Sequence, residues 1–317
     1  MMRSILVFYF FTCWIGWVCA QKTPTLWTAN WSHDGQYIAV GGGDFVLKII
    51  DGISFEVIDT FQLHHNIERV RWHPKRNLLA ITISGPTAKP MILDPESRKK
   101  IFLDDLPDLG GRAIAWNHTG EYIAVADYEE KISVWDINGK LIQFMSGHTT
   151  KSHVAVDWHP KKNEFIALSD PVTKHNIKGE LLDSARHRKD PVLMLCVQWH
   201  PSGKFFVIGD YGTPSDTKLP ALLQFWSPDL EKIKEIEISK AAYRNVSWNK
   251  KGNRLATASD VLRIWSKKGK LLAEGPRNDN LWGVDWSPNG KYIITSSEEG
   301  HIRLWNNKAE LIKEIEY

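Results

Sequence analysis

The stretch Leu281–Ile315, LWGVDWSPNGKYIITSSEEGHIRLWNNKAELIKEI, decides the fold. Leu281 to Trp286 reads as a strand that puts Val284 and Trp286 on one face, since side chains alternate with a period of two. Ser287-Pro288-Asn289-Gly290 reads as a turn, because Pro pre-sets one dihedral and Gly supplies a positive φ. Tyr292 to Ser296 is rich in β-branched residues and reads as a second strand. Glu298-Glu299-Gly300 turns the chain, Ile302 to Trp305 gives a third strand, and Leu311 to Ile315 a fourth. Four short antiparallel strands in this order make one propeller blade.

The unit recurs. Trp31, Trp72, Trp116, Trp158, Trp199, Trp248 and Trp286 follow one another at intervals of 41, 44, 42, 41, 49 and 38 residues. The turn glycine returns four residues after the Trp as Gly35, Gly120, Gly203, Gly252 and Gly290. Blades 2 and 4 carry Arg76-Asn77 and Lys162-Asn163 instead, where the Asn is expected to take the left-handed conformation. Third strands end in Trp135, Trp226, Trp265 and Trp305, with Ile50 and Leu93 standing in for them in blades 1 and 2. In blade 4 the matching segment, Thr173-Lys174-His175-Asn176, is too polar for a buried strand and is expected to be irregular or exposed. A period near forty predicts an all-β fold, a seven-bladed β-propeller of four-stranded antiparallel blades.

These residues resemble the WD-repeat β-propeller family, with a Trp-Asp pair at 135–136 and near-misses in other blades. The Gly-His dipeptide that precedes the innermost strand in that family survives only at Gly147-His148, so the resemblance implies that apolar packing between blades replaces the network the His anchors. This drift is similar to that of secreted bacterial members. The first innermost strand, Leu26 to Trp31, and the last outermost one, Leu311 to Ile315, predict blades contiguous in sequence. The ring would then close without a shared strand, and blades 7 and 1 would meet only by face packing.

Residues 1–20 differ from the rest. Arg3 is their only charge, Ile5 to Val18 is apolar, and Val18-Cys19-Ala20 offers an A-x-A-like end. They read as a secretory signal, with a lipoprotein signal on Cys19 and an uncleaved anchor as rivals; residues 21–317 are then the propeller. The expected location is exported, periplasmic or extracellular, with no membrane span once the signal is cleaved. Only Cys196 remains outside the signal, so no internal disulfide is available, and its apolar neighbours mark it as a buried core residue. A formal charge of +3, with Lys and Arg scattered, shows no basic stripe and argues against a nucleic-acid partner.

Of the fifteen tryptophans, Trp27 and Trp282 alone fall outside the signal, the repeat positions and the third-strand ends. Both stand four residues before their repeat Trp, in the two blades that flank the closure. Two readings stay open: they stitch the seam, or they form a binding patch with Arg69, Arg112, Tyr243 and Arg244 on the face where, by the resemblance, partners dock. Trp, Tyr and Arg are enriched at binding hot spots. The insertion from Gly209 to Pro220 in blade 5, with Asp210 and Tyr211, lies on the same face. His73, His159 and His200 follow repeat tryptophans and are expected to hydrogen-bond their own turns. No HExxH, clustered Cys/His set, nucleophile elbow or phosphate loop is present. The sequence therefore reads as a monomeric, non-catalytic scaffold for another protein or peptide, without cofactor or metal. A carbohydrate-binding propeller is one alternative. A channel-mouth hydrolase or lactonase using Asp157 and Asp285 is the other.

Overall fold

The computed structural model describes residues 23–85, 87–104, 110–128, 131–145, 154–213, 219–277 and 279–315. The signal reading of residues 1–20 and the Gly147-His148 dipeptide fall outside them. The described chain forms seven four-stranded antiparallel sheets, each built from four consecutive strands. The innermost strands are Leu26–Trp31, Asn66–Trp72, Ala113–Trp116, Ala155–Trp158, Met194–Trp199, Asn245–Trp248 and Leu281–Trp286. Each touches the next in order, and the seventh touches the first, so the blades close a ring around a central channel with no strand shared between sheets.

The seven repeat tryptophans are buried, as are the four that end third strands. Each of those four finds a partner for its indole N–H inside its own blade: Ser133 Oγ at 2.8 Å, Gln224 Oε1 at 3.1 Å, Thr257 Oγ1 at 3.1 Å and Thr295 Oγ1 at 2.8 Å. A register shift accompanies the end of the third strand in every blade but the second, which bends the sheet where its outer strand begins. The turn glycines Gly35, Gly120, Gly203, Gly252 and Gly290 take φ from 67° to 81°. Asn77 and Asn163 do not adopt positive φ. Their side chains instead reach the preceding blade, Asn77 at 3.4 Å from Asp34 and Asn163 at 2.9 Å from Asn117.

Two further expectations do not hold. Val172–Asn176 in blade 4 is a regular strand paired on both sides, with Thr173 and His175 fully buried. Its polarity is absorbed by neighbours. The His175 ring stacks on Phe165 at 5.4 Å, and Lys174 Nζ donates to Pro228 O at 2.8 Å. Likewise, blades 7 and 1 do not meet by face packing alone. Beside the shared apolar cluster of Leu26, Ala29, Ile294 and Ile302, Thr25 Oγ1 donates to Glu298 O at 2.9 Å, and Asp285 accepts from both Asn30 Nδ2 and the Trp31 N–H at 2.7 and 2.8 Å.

Candidate functional site

Residues four before each repeat Trp begin the innermost strands, so the ring gathers them at one mouth of the channel. Trp27, Glu68, Arg69, Arg112, Leu195, Arg244 and Trp282 line a narrow cavity of about 30 Å³ there. The Trp27 and Trp282 rings lie 6.2 Å apart, tilted by 32°, across the blade 7–blade 1 seam, and both remain half-buried. Arg244 continues the stack: its guanidinium sits 3.9 Å from the Trp282 ring centre and 5.0 Å from that of Tyr211. Arg112 lies over Tyr128 at 5.6 Å, and Ser84 hydrogen-bonds Glu68. Burial, with the nearby charge of Arg71, lowers the pKa of Arg69.

The structure therefore brings together Trp27, Arg69, Arg112, Arg244, Trp282 and Tyr211. It withdraws two others. Tyr243 is fully buried in the blade 5–blade 6 core, because its ring turns inward against Val246 and Leu223. Asp210 is buried too: Arg188 Nε donates to it at 2.8 Å, and the Leu222 and Gly212 N–H groups at 2.8 and 3.2 Å. Asp210 braces the base of the insertion rather than facing outward. Residues 214–218 of that insertion lie outside the described residues. Cys196 is buried as expected, and burial pushes its thiol up to about 12.

At the opposite mouth a cavity of about 170 Å³ is lined by Arg71, Trp116, Asp157, Gln198 and Asp285, among others. Asp157 and Asp285, the carboxylates a hydrolase reading would use, each hold a neighbouring blade. Residues just before the repeat Trp accept the Trp N–H of the following blade at five seams. The acceptors are Asn30 for Trp72 at 2.8 Å, Asp157 for Trp199 at 2.7 Å, Gln198 for Trp248 at 2.6 Å, Ser247 for Trp286 at 3.2 Å, and Asp285 for Trp31 at 2.8 Å. These clasps satisfy N–H groups that the free edge of an innermost strand would leave orphaned.

The histidines clamp the rim in the same way. His73 Nδ1 accepts the Lys75 N–H at 3.0 Å, leaving Nε2–H to meet Gly120 O of the next blade at 3.1 Å. His159 and His200 repeat the arrangement with Gly203 O at 3.2 Å and Gly252 O at 2.7 Å. Each ring also packs edgewise on the next repeat Trp, at 4.7 to 4.8 Å. The expectation that they serve only their own turns was too narrow. The missing signal is spatial: ring closure, not chain order, supplies their second partner.

One group of described residues could offer ligands to a metal, Asp279, Glu299 and His301, but Arg303 already pairs with Asp279, and Glu314 Oε1 takes His301 Nδ1 at 2.8 Å.

Comparison with known proteins fits the architecture. The family model for the WD domain, G-beta repeat (WD40) matches residues 18–51 and 268–306. With the seven-bladed ring, it supports a WD-repeat β-propeller. The chain is similar to a subunit of eukaryotic translation initiation factor 3 from Aedes aegypti, 20% identical over 90% of this chain and 45% of that protein. It is also similar to periodic tryptophan protein 2 of Saccharomyces cerevisiae, 27% identical over 35% of this chain and 12% of the relative. A third relative is the probable cytosolic iron-sulfur protein assembly protein CIAO1 homolog of Schistosoma japonicum, 26% identical over 28% of each. The chain spans less than half the length of the initiation-factor relatives it matches. These findings overturn the exported location: a translation initiation factor subunit and a cytosolic assembly protein point away from the periplasm or the extracellular space. The likeness to secreted bacterial members is not borne by these eukaryotic relatives.

Proposed function

We propose that the chain is a non-catalytic scaffold that docks another protein or peptide on the mouth formed by Trp27, Arg69, Arg112, Arg244, Trp282 and Tyr211. The observation that carries this reading is the ordered stack Trp27–Trp282–Arg244–Tyr211. Large flat side chains already held in place lose little freedom on binding, so their contact area converts efficiently into affinity. Trp27, Trp282 and Arg244 stand at the ends of innermost strands, and Tyr211 joins them from the base of the blade 5 insertion. One relative is by name a subunit and another an assembly protein, which supports a protein partner over a small molecule.

The test is affinity capture with wild type, Arg244→Ala and the Trp27→Ala/Trp282→Ala double variant, alongside melting curves. Removing a hot-spot Trp or Arg costs about 2 kcal/mol or more of binding, a loss on the order of 30-fold. Arg244→Ala is expected to lose the partner while melting within a few degrees of wild type. Retention of the partner by both variants would refute the docking mouth; a loss of stability without a loss of partner would leave the two tryptophans as seam packing.

A further inference from the structure

In four blades a β-bulge falls near the start of the innermost strand. The residue left out of the pairing is Trp27, Glu68, Leu195 or Trp282, and each of these lines the narrow cavity at the docking mouth. A bulge re-aims the side chain it carries. Here it turns four of them into one mouth.

Charge at this cavity is one-sided. Its lining carries Arg69, Arg112 and Arg244 against a single acid, Glu68. Among the described residues no carboxylate comes within the 4.0 Å of an ion pair to any of the three arginines. Glu68 accepts from Ser84. Glu298 acts on Arg244 only at longer range, and it takes Asn280 Nδ2 at 2.9 Å. Asp157 and Asp285 offset Arg71 at the other mouth.

Arg69 is left between two like charges. Burial, with Arg71 and Arg112, brings its pKa down to about 9. The thiol of Cys196 beside it is neutral, since burial pushes it up to about 12. One more donor goes unmet among the described residues: the indole N–H of Trp282 is buried without an acceptor.

We propose that the occupant of this mouth is an acidic peptide segment, which sets one Glu or Asp carboxylate among Arg69, Arg112 and Arg244. The proposal rests on the docking reading and gives its partner a chemistry. A guanidinium presents paired N–H donors that match the two oxygens of a carboxylate. The cavity of about 30 Å³ has room for two oxygen atoms, at the ~15 Å³ that one water needs. A phosphoryl group, with three terminal oxygens, is too large to enter it. One negative charge among three cations relieves their mutual repulsion, which an uncharged segment cannot do.

Protein carrying ¹⁵N-labelled Trp, titrated with N-acetylated, C-amidated tetraglutamate at constant ionic strength, gives the test. The indole N–H signals of Trp27 and Trp282 shift saturably, while those of Trp226 and Trp265, bonded inside their own blades, stay put. Tetraglutamine with the same caps moves none of them, and tetraphosphoserine titrates more weakly than tetraglutamate. Arg69→Met weakens the response to tetraglutamate by about tenfold or more, as loss of a charged hydrogen-bond partner does. Should that variant fail to fold, Arg112→Met decides in its place. The proposal is overturned if the tetraglutamate response does not saturate, if tetraglutamine or tetraphosphoserine matches it, or if the folded variant responds like wild type. Its failure is distinct from that of the docking mouth. A partner captured by wild type and lost on Arg244→Ala, with no response to tetraglutamate, keeps the mouth and overturns the acidic occupant.

Discussion

Asp157 gives an oxygen to the Trp199 N–H of the next blade, and burial inside the ring pushes its carboxyl up to about 7 from an ordinary value of 3.8. A carboxyl with a raised pKa in the fold keeps its proton where the unfolded chain has lost it. Its contribution to stability is therefore complete below about pH 4 and is lost as pH rises through about 7. Asn at this position keeps the acceptor and has nothing to titrate. Asp157→Asn is expected to gain on the order of 2–4 kcal/mol relative to wild type between pH 4 and pH 8, read from urea unfolding across that range. His73, His159 and His200 run the opposite way. Burial lowers all three, His73 to about 4, so their contribution is complete above about pH 6.5 and is lost as pH falls toward 4. In the Asp157→Asn background the stability of the protein should thus fall steadily from pH 6.5 to pH 4. Flat profiles in both proteins would contradict both assignments. None of this was legible residue by residue. The mixed set Asn30, Asp157, Gln198, Ser247 and Asp285 gains a common meaning only when the ring sets each beside the next blade's backbone.

The third strand of blade 4 is where polarity misled at the scale of an element. Val172–Asn176 alternates, with Thr173 and His175 inward, and the period of two mattered more than composition. An imidazole can occupy the place of a third-strand Trp because Phe165 offers it a face at 5.4 Å. His175→Ala is expected to lower stability by about 2–3 kcal/mol, through the cavity and the lost stacking; an exposed, irregular strand would lose less than about 0.5 kcal/mol. Elsewhere the strands were readable because the blades carry their own signals: β-branched runs, a turn glycine four residues after the repeat Trp in five of them, and a Trp at a fixed offset. The candidate mouth was only partly readable. Trp27, Arg112, Arg244 and Trp282 share an offset from the repeat and so share a mouth, with Arg69 one position further along its strand. The direction in which the Tyr243 and Asp210 side chains turn depends on the neighbouring blade and on Arg188, which no spacing reveals.

At the scale of the molecule, closure is the vulnerable step, since no strand is shared across the blade 7–blade 1 seam. The two blades approach closely at Gly283, where an added methyl would meet the Ala29 backbone N at 2.6 Å and Thr28 C at 2.9 Å. Gly43, near the same mouth, has its nearest contact at 3.7 Å. Gly283→Ala is expected to cost about 2 kcal/mol or more by forcing the blades apart, and Gly43→Ala to stay within about 0.5 kcal/mol of wild type. Calorimetry on the pair separates strain at the seam from a general glycine effect. Equal melting temperatures would mean that closure does not depend on this approach.

On the proposed function, one mouth of this ring docks another protein. A photo-crosslinking amino acid placed at Tyr211, which is exposed beside Arg244, tests it against the same group at Ile53, exposed on the opposite face. In the source cell, the Tyr211 position is expected to yield one discrete crosslinked protein, lost on Arg244→Ala, while the Ile53 position yields none. No crosslink at Tyr211, or the same products from both positions, would contradict the account.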